Sequence, residues 1–325
     1  MAYQSDNAVA TMSVIVVTYR RPNDLAKCLD GLARQTRLPD QVVVTVRDID
    51  QATLDLMALP RADALPVQIV IVETPGIVAA RNAGLATATG DLLGFLDDDA
   101  VPHADWCARC IEHFRRDPKL GGLGGKDRLH DGLRFDEGRS DQVGVVQYVG
   151  RIIPNQHLGY GEPREVAMLK GANMIFRRSA IGDIRFDARL KGQGAQPFDD
   201  VAFGLAVRRA GWKLLYDPAV LVDHFSGGRE EVRHYGTVDT VKDRRGYREL
   251  SYNEVVALWD EMSRVRFVVF AAWSVLVGTR ITPGIVQAIR FTPQLGRGSW
   301  DRFMLTQHGR LEAWRDMRNQ GALTP

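Results

Sequence analysis

The stretch GDLLGFLDDDAVP, residues 90–102, runs from a glycine through a short apolar segment into three consecutive acids, Asp97, Asp98 and Asp99. The apolar segment reads as a buried strand, so three mutually repelling carboxylates stand at its carboxyl end. A solvated acidic turn would account for an isolated triplet. A divalent cation would account for it too, and would neutralise the repulsion. The segments on either side bear on the choice.

From Ser13 onward, strand-like and helix-like segments alternate. SVIVVTY (13–19) is a continuous β-branched run, as expected of a strand covered on both faces. RPNDLAKCLDGLARQT follows with Leu25, Leu29 and Leu32 at helical spacing, entered through Pro22, Asn23 and Asp24. QVVVTV (41–46) and VQIVIV (67–72) read as further buried strands, and GIVAARNAGLATAT (76–89) as an Ala-rich helix. This rhythm implies βαβ units and a mostly parallel sheet, whose ligands bind beyond the strands' carboxyl ends. Thr18–Tyr19, Asp48–Asp50 and Asp97–Asp99 then share one rim.

Beyond residue 120 the pattern is less regular. GGLGG (121–125) follows a helix rather than a first strand, so it reads as turn and strand-edge glycines, not a phosphate loop. GANMIFRRSAI (171–181) reads as a strand leading into a turn. FDDVAFGLAVRRAGW (198–212) reads as a helix whose first turn holds Asp199 and Asp200, where the helix dipole alone would favour them. KLLYDPAVLVDHF (213–225) reads as one or two short strands.

The 325 residues are 45% hydrophobic and 25% charged with a net charge of +2, ordinary globular values that exclude a disordered chain. Cys107 and Cys110 form a C-x-x-C in a helix-patterned segment without a second Cys/His pair, so they read as helix residues in a reducing cytoplasm. Residues 1–12 lack the basic and apolar regions of a secretory signal and read as a frayed leader.

The tail differs in kind. From Arg264 to the end it has nine arginines, no lysine and three acids, Asp301, Glu312 and Asp316. Its apolar run Phe267–Gly278 is twelve residues, too short to span a bilayer. An apolar, Trp-bearing helix in cationic surroundings reads as a peripheral membrane element, at the inner face of the cell membrane; packing on the α/β part of the chain or in a homodimer is the alternative. The basic excess is confined to this tail and lacks an aromatic platform, which argues against nucleic acid.

VIVVTYRRP, GIVAARNAG, FLDDDAVP, KGANMIFRR, FDDVAFGLAVRRAGW and DHF occur here in the order and approximate spacing of family 2 glycosyltransferases, which the chain resembles over about residues 12–225. The resemblance implies an α/β GT-A fold, a Rossmann-like mostly parallel central sheet flanked by helices. The catalytic domain would span 13–225, with 13–100 as the nucleotide half and 101–225 as the sugar and acceptor half. A helical extension would occupy 226–325.

It further implies inverting transfer of a sugar from a nucleotide diphosphate to a hydroxyl acceptor, assisted by Mn²⁺ or Mg²⁺. DDD resembles the family's Asp-x-Asp signature: Asp99 and Asp97 would serve the metal, Asp97 also lying near the ribose, and Asp98 the donor. His224 holds the place of a histidine that reaches the metal or diphosphate in many relatives. Thr18, Tyr19 and Arg21, with Arg20, resemble the nucleotide-binding turn, although Tyr19 also fits a core aromatic. TVRDIDQAT departs from the family's paired acids, which leaves Asp48 for the base contact with Asp50 as second choice. Arg81 and Asn82 would lie against the nucleotide and the acids. Gly171 and Asn173 would line the donor-sugar pocket, Arg208 or Arg209 would face the diphosphate, and KGQGAQPF (191–198) would be a lid.

Asp200 would be the base that takes the acceptor proton, with Asp199 orienting the acceptor. The donor expected is a UDP-sugar, with GDP or dTDP in reserve, and the acceptor a polysaccharide, glycolipid or glycoside, in one version lipid-linked. Two other functions remain open. A sugar nucleotidyltransferase would need a glycine-rich triphosphate loop, which TYRRPND does not supply; a non-catalytic nucleotide-sugar binder would not need the acid pair.

Overall fold

The structure is a computed structural model that describes residues 10–59, 65–130, 132–225 and 244–320. Most of the expected leader and the first part of the expected extension, 226–243, lie outside the described residues.

The first half follows the alternating pattern. Strands β1 (Met12–Thr18), β2 (Gln41–Arg47), β3 (Val67–Val72) and β4 (Leu92–Asp97) alternate with helices α1 (Pro22–Ala33), α2 (Gln51–Ala58) and α3 (Ile77–Thr87). The second half holds β5 (Ala100–Pro102), α4 (Trp106–Arg116), β6 (Leu120–His130), β7 (Val145–Val146), β8 (Ile152–Ile153) and β9 (Arg164–Glu165). Then come β10 (Asn173–Arg177), α5 (Arg178–Ile181), α6 (Asp199–Arg209) and β11 (Lys213–Phe225). Among the described residues after these come four helices, α7 (Arg244–Trp259), α8 (Arg264–Leu276), α9 (Ile285–Leu295) and α10 (Arg297–Gln320).

The main sheet runs β3-β2-β1-β4-β10-β6-β11-β5, with β9 paired to β11. The β3-β2-β1-β4 half is parallel, and β10 enters antiparallel between β4 and β6. Val17 is level with Asp97 and Thr18 with Val46, so the carboxyl ends of β1, β2 and β4 meet on one rim. Alternation along the strands sends side chains to two cores. Met12, Val14, Val16 and Val42 pack with α1 and α4, whereas Ile15, Val43 and Phe95 pack with α3 and α6. The second core also takes Tyr252, Val255, Trp259, Phe270 and Met317, so the C-terminal helices share the sheet's own core.

Several expectations need correction. VQIVIV is a strand but not a buried one: β3 is the sheet edge, with Ile69 40% and Ile71 51% exposed. GGLGG is neither turn nor edge; it lies inside β6, between β10 and β11. A Cβ at Gly121 would meet the Trp212 side chain, and one at Gly122 would meet Phe176 at 2.9 Å, so packing excludes side chains there. KLLYDPAVLVDHF is one thirteen-residue strand with a register irregularity after Asp217. The stretch after β10 is the short helix α5. Cys28, Cys107 and Cys110 are free and buried, the last two on α4 as expected.

Candidate functional site

β4 leaves the sheet core at Asp97, and the acidic turn follows at once. Asp98 and Asp99 are buried, and Asp97 is half-buried. β11 brings its last residues alongside: His224 is level with Ala100, and the Phe225 amide donates to the Asp99 carbonyl at 2.9 Å. His224 Nε2 lies 3.1 Å from Asp99 Oδ1 and its Nδ1 3.3 Å from Asp127 Oδ2. One ligand atom from each of Asp97, Asp99 and His224 falls within 4.8 Å of the others. Two carboxylates and an imidazole at that spacing fit a divalent cation such as Mn²⁺.

Sequence reading did not single out Asp127. It is fully buried on β6 and takes both the Lys170 ammonium and the His224 ring. Burial would raise its carboxyl, but Lys170 and the His224 hydrogen bond outweigh that and hold it below the usual range. A carboxylate behind a histidine fixes the ring's orientation. Lys170, the Asp127 partner, stands immediately before the GAN motif, where its position alone does not mark it. A lone acid in a glycine-rich strand gives no local signal.

Arg21, at the entry of α1, reaches the triplet directly, paired with Asp98 and 2.9 Å from Asp99 Oδ2. Even so, burial lifts the Asp98 carboxyl to about 7. The turn before Arg21 is unusual, because Arg20 has φ +55°. Asp50 holds it there, accepting from the Arg20 amide at 2.5 Å while capping α2 through the Thr53 amide at 3.2 Å. Asp50 is therefore spent on backbone and buried. Asp48 pairs with Arg47 at 3.1 Å beside the cleft.

The acid pair opens α6 directly after Phe198, another residue with positive φ (+70°). Such a backbone costs about 1–3 kcal/mol and persists only where its surroundings impose it. Asp199 is buried against the Arg81 guanidinium, and Arg81 Nη2 also lies 3.2 Å from Asp97 Oδ1. Arg81 thus links the acid pair to the acidic triplet. It is buried, not the exposed helix residue its sequence position would also allow. Gly171 makes the link possible, since a Cβ there would sit 2.9 Å from Arg81 Cζ. The Gly171 amide donates to Asp200 Oδ2 at 2.8 Å, and the Val201 amide to its Oδ1 at 2.8 Å. Burial raises both carboxyls of the pair, Asp199 to about 7, with Arg81 opposing the shift.

A cleft of about 630 Å³ opens beside this constellation, lined by Thr18, Tyr19, Arg21, Arg47, Ile77 and Asp97, with Gln193 to Ala195 as one wall. That wall is tied down at both ends. The Gln196 side chain accepts from the Val78 amide at 3.0 Å and donates to the Leu190 carbonyl at 2.7 Å. Lys191 exchanges two backbone bonds of 2.8 Å with the Asn253 side chain on α7.

Two expected donor contacts lie elsewhere. The Asn82 amide is occupied by the Phe186 backbone, through bonds of 2.9 Å each way, and borders a different cavity. Asn173 is buried; it accepts from Trp106 Nε1 at 2.8 Å and donates to the Val220 carbonyl at 2.9 Å, so its amide joins neighbouring elements of the fold and is not among the residues lining the cleft. Arg208 and Arg209 stand at the far end of α6, where Arg209 pairs with Glu261 at 2.5 Å, away from the acids.

The family profile described as glycosyltransferase like family 2 matches residues 10–240. The chain belongs to this family. Among its relatives, the succinoglycan biosynthesis protein ExoM of Rhizobium meliloti is 35% identical over 123 residues, covering 36% of this chain and 39% of ExoM. YwdF of Bacillus subtilis, an uncharacterized glycosyltransferase, is 36% identical over 89 residues, covering 27% of this chain and 32% of YwdF. The matched stretch spans about a third of each relative. Among solved structures, the Pyrobaculum calidifontis mannosyltransferase PcManGT, in complex with GDP-Man and Mn²⁺, aligns with a TM-score of 0.56 at 15% identity, covering 95% of this chain and 88% of that one. S. aureus TarS 1–349 with UDP-GlcNAc aligns at 0.55 and 16% identity, covering 94% and 92%. The likeness is one of fold, the GT-A fold anticipated from the motifs.

Proposed function

We propose that this family member is a metal-dependent inverting glycosyltransferase. The observation that carries the reading is the placement, on one rim beside one cleft, of a carboxylate–imidazole cation site and a buried acid pair joined through Arg81.

In this reading Asp97, Asp99 and His224 hold Mn²⁺ or Mg²⁺, and Asp127 orients the histidine. The bound ion supplies charge neutralisation to a leaving nucleotide diphosphate. Thr18, Tyr19 and Arg47 receive the nucleotide at the strand ends, with Asp48 beside them. Asp200 accepts the proton of the acceptor hydroxyl as that oxygen attacks the anomeric carbon from the face opposite the leaving group. Its oxygens are oriented by two backbone amides. Its raised pKa suits a base whose proton is released late in the attack. Asp199, locked on Arg81, keeps the opening of α6 in register with the cation site.

A UDP-sugar is the first donor to test, with GDP- and dTDP-sugars after it; the bound donors of PcManGT and TarS support a nucleotide-sugar class. The acceptor is a hydroxyl in polysaccharide, glycolipid or glycoside assembly, and a lipid-linked acceptor suits the exposed apolar C-terminal helices. Free, buried cysteines suit a cytoplasmic setting.

Calorimetric titration of UDP, GDP and dTDP, each with and without Mn²⁺, tests the reading. One nucleotide should bind only with metal, and Asp99→Ala should abolish that binding. Asp200→Asn should keep donor binding and lose turnover. A chain that binds no nucleotide under any of these conditions would refute the proposal, and one that binds but shows no turnover to lose would be a binder.

A further inference from the structure

The C-terminal helices bury one side in the catalytic core and leave another side bare. On α8 the exposed residues include Val265, Val268, Ala272 and Val275, whose three- and four-residue spacing makes one stripe along the helix. Val265 is 70% and Val268 66% exposed, while Phe270 and Ser274 on the same helix are buried. α9 repeats the arrangement, with Val286 and Ile289 exposed and Ala288 buried. α10 adds Trp300 and Met304, one turn apart and both exposed. The three helices are in contact: the Gln307 side chain of α10 donates to the Ser274 carbonyl of α8, and the Ser299 hydroxyl to the Ala288 carbonyl of α9. Single exposed aliphatics are ordinary, but successive stripes on contacting helices mark an interaction surface.

Charge indicates what covers it. From Arg264 to Trp300 the sequence contains five arginines and not one aspartate or glutamate. Arg266 is committed inward, donating to the carbonyls of Gln147 at 3.2 Å and Tyr148 at 3.1 Å. Arg264, Arg280, Arg290 and Arg297 are exposed. A two-fold interface between copies would bring these arginines towards one another with a single half-buried acid, Asp301 beside Trp300, to answer them. No helix among the described residues is long and apolar enough to cross a membrane.

We infer that this face docks on an anionic lipid bilayer. The aliphatic stripes and Trp300 enter the headgroup boundary, and Arg264, Arg280, Arg290 and Arg297 pair with lipid phosphates. Docking needs neither donor nor metal, so it stands or falls separately from the glycosyl-transfer reading.

The test is co-sedimentation of the full chain with vesicles of phosphatidylcholine alone or mixed with phosphatidylglycerol, without nucleotide or metal. Binding should require phosphatidylglycerol and weaken with salt. Each exposed arginine contributes about fivefold near an anionic surface, so R280Q/R290Q should lower partitioning about 25-fold. V268D/I289D should abolish binding, and both variants should keep wild-type circular dichroism and urea unfolding because the altered side chains are exposed. Equal binding to both vesicle types, or wild-type binding by V268D/I289D, would overturn the inference. So would a lipid-free dimer in sedimentation velocity that V268D/I289D dissociates, which would assign the face to a second copy.

Discussion

Gly171→Ala puts the link between the two halves of the site to a direct test. A Cβ at Gly171 would lie 2.8 Å from Arg81 Nη1 and 2.9 Å from its Cζ, and nearer still to Nη2. Non-bonded heavy atoms settle at about 3.5–4.0 Å, and Nη2 is the atom the Cβ meets first, so the guanidinium must retreat by about 1 Å. It has little room to do so. One nitrogen is bound to Asp199, the other lies 3.2 Å from Asp97, and the Phe186 ring centroid is 5.5 Å from Cζ. Overpacking a core costs about 1–3 kcal/mol and fully breaking a buried ion pair about 3–5 kcal/mol, so a strained pair should cost about 2–3 kcal/mol. Because the displaced group positions the opening of α6, a shift of this size should lower kcat about 100-fold. Urea unfolding and steady-state turnover measure the two effects. Arg81→Lys supplies the cycle: with the guanidinium gone, adding Gly171→Ala should cost less than about 1 kcal/mol. Wild-type stability and turnover in Gly171→Ala would refute the claim that Arg81 is held in place by the missing side chain.

Three further outcomes follow from the geometry. Asp127→Asn removes the carboxylate behind His224, and Mn²⁺ affinity measured by calorimetry should fall about 10–100-fold. Asn173→Ala leaves Trp106 Nε1 and the Val220 carbonyl without their partner, so urea unfolding should show a loss of about 1–3 kcal/mol while nucleotide affinity stays at the wild-type value. Burial raises the Asp199 carboxyl from 3.8 to about 7, so the folded chain holds that proton more tightly than the unfolded one. Its contribution to stability is complete below about pH 4 and is lost as pH rises through about 7. The urea midpoint of the wild type should therefore fall relative to that of Asp199→Asn between about pH 5 and about pH 8.

What could be read from the sequence was local, and what could not depended on distant neighbours. β1 and β4 are long β-branched or leucine-rich runs ending in polar residues, so both strand and rim position were legible. Asp97–Asp99 and Asp199–Asp200 stand next to clear element boundaries, and the structure brings both groups to one place. VQIVIV has the composition of a central strand but, among the described residues, no strand beyond it, and its own residues do not record that. The β6 glycines are required by Trp212, Leu214 and Phe176, which belong to other elements. Motif position puts Asn82 and Asn173 at the donor, yet their amides satisfy backbone groups about a hundred and about fifty residues away, as the buried Asn173 amide must. Asp127 escaped notice because its meaning comes from His224 and Lys170, each more than forty residues distant.

The tie between Lys191 and Asn253 bears on how such enzymes can be recombined. Exchanging C-terminal regions between relatives is an obvious way to alter where or on what they act. Here the segment that walls the cleft is anchored to α7, and Lys191 Nζ also pairs with Glu312 on α10 at 2.6 Å. A chimera joined after β11 would therefore inherit a catalytic half whose wall keeps its Gln196 tie to α3 but has lost the one at Lys191, and whose core has lost Tyr252, Val255 and Trp259. Grafted tails should work only when the Asn253 and Glu312 positions travel with them.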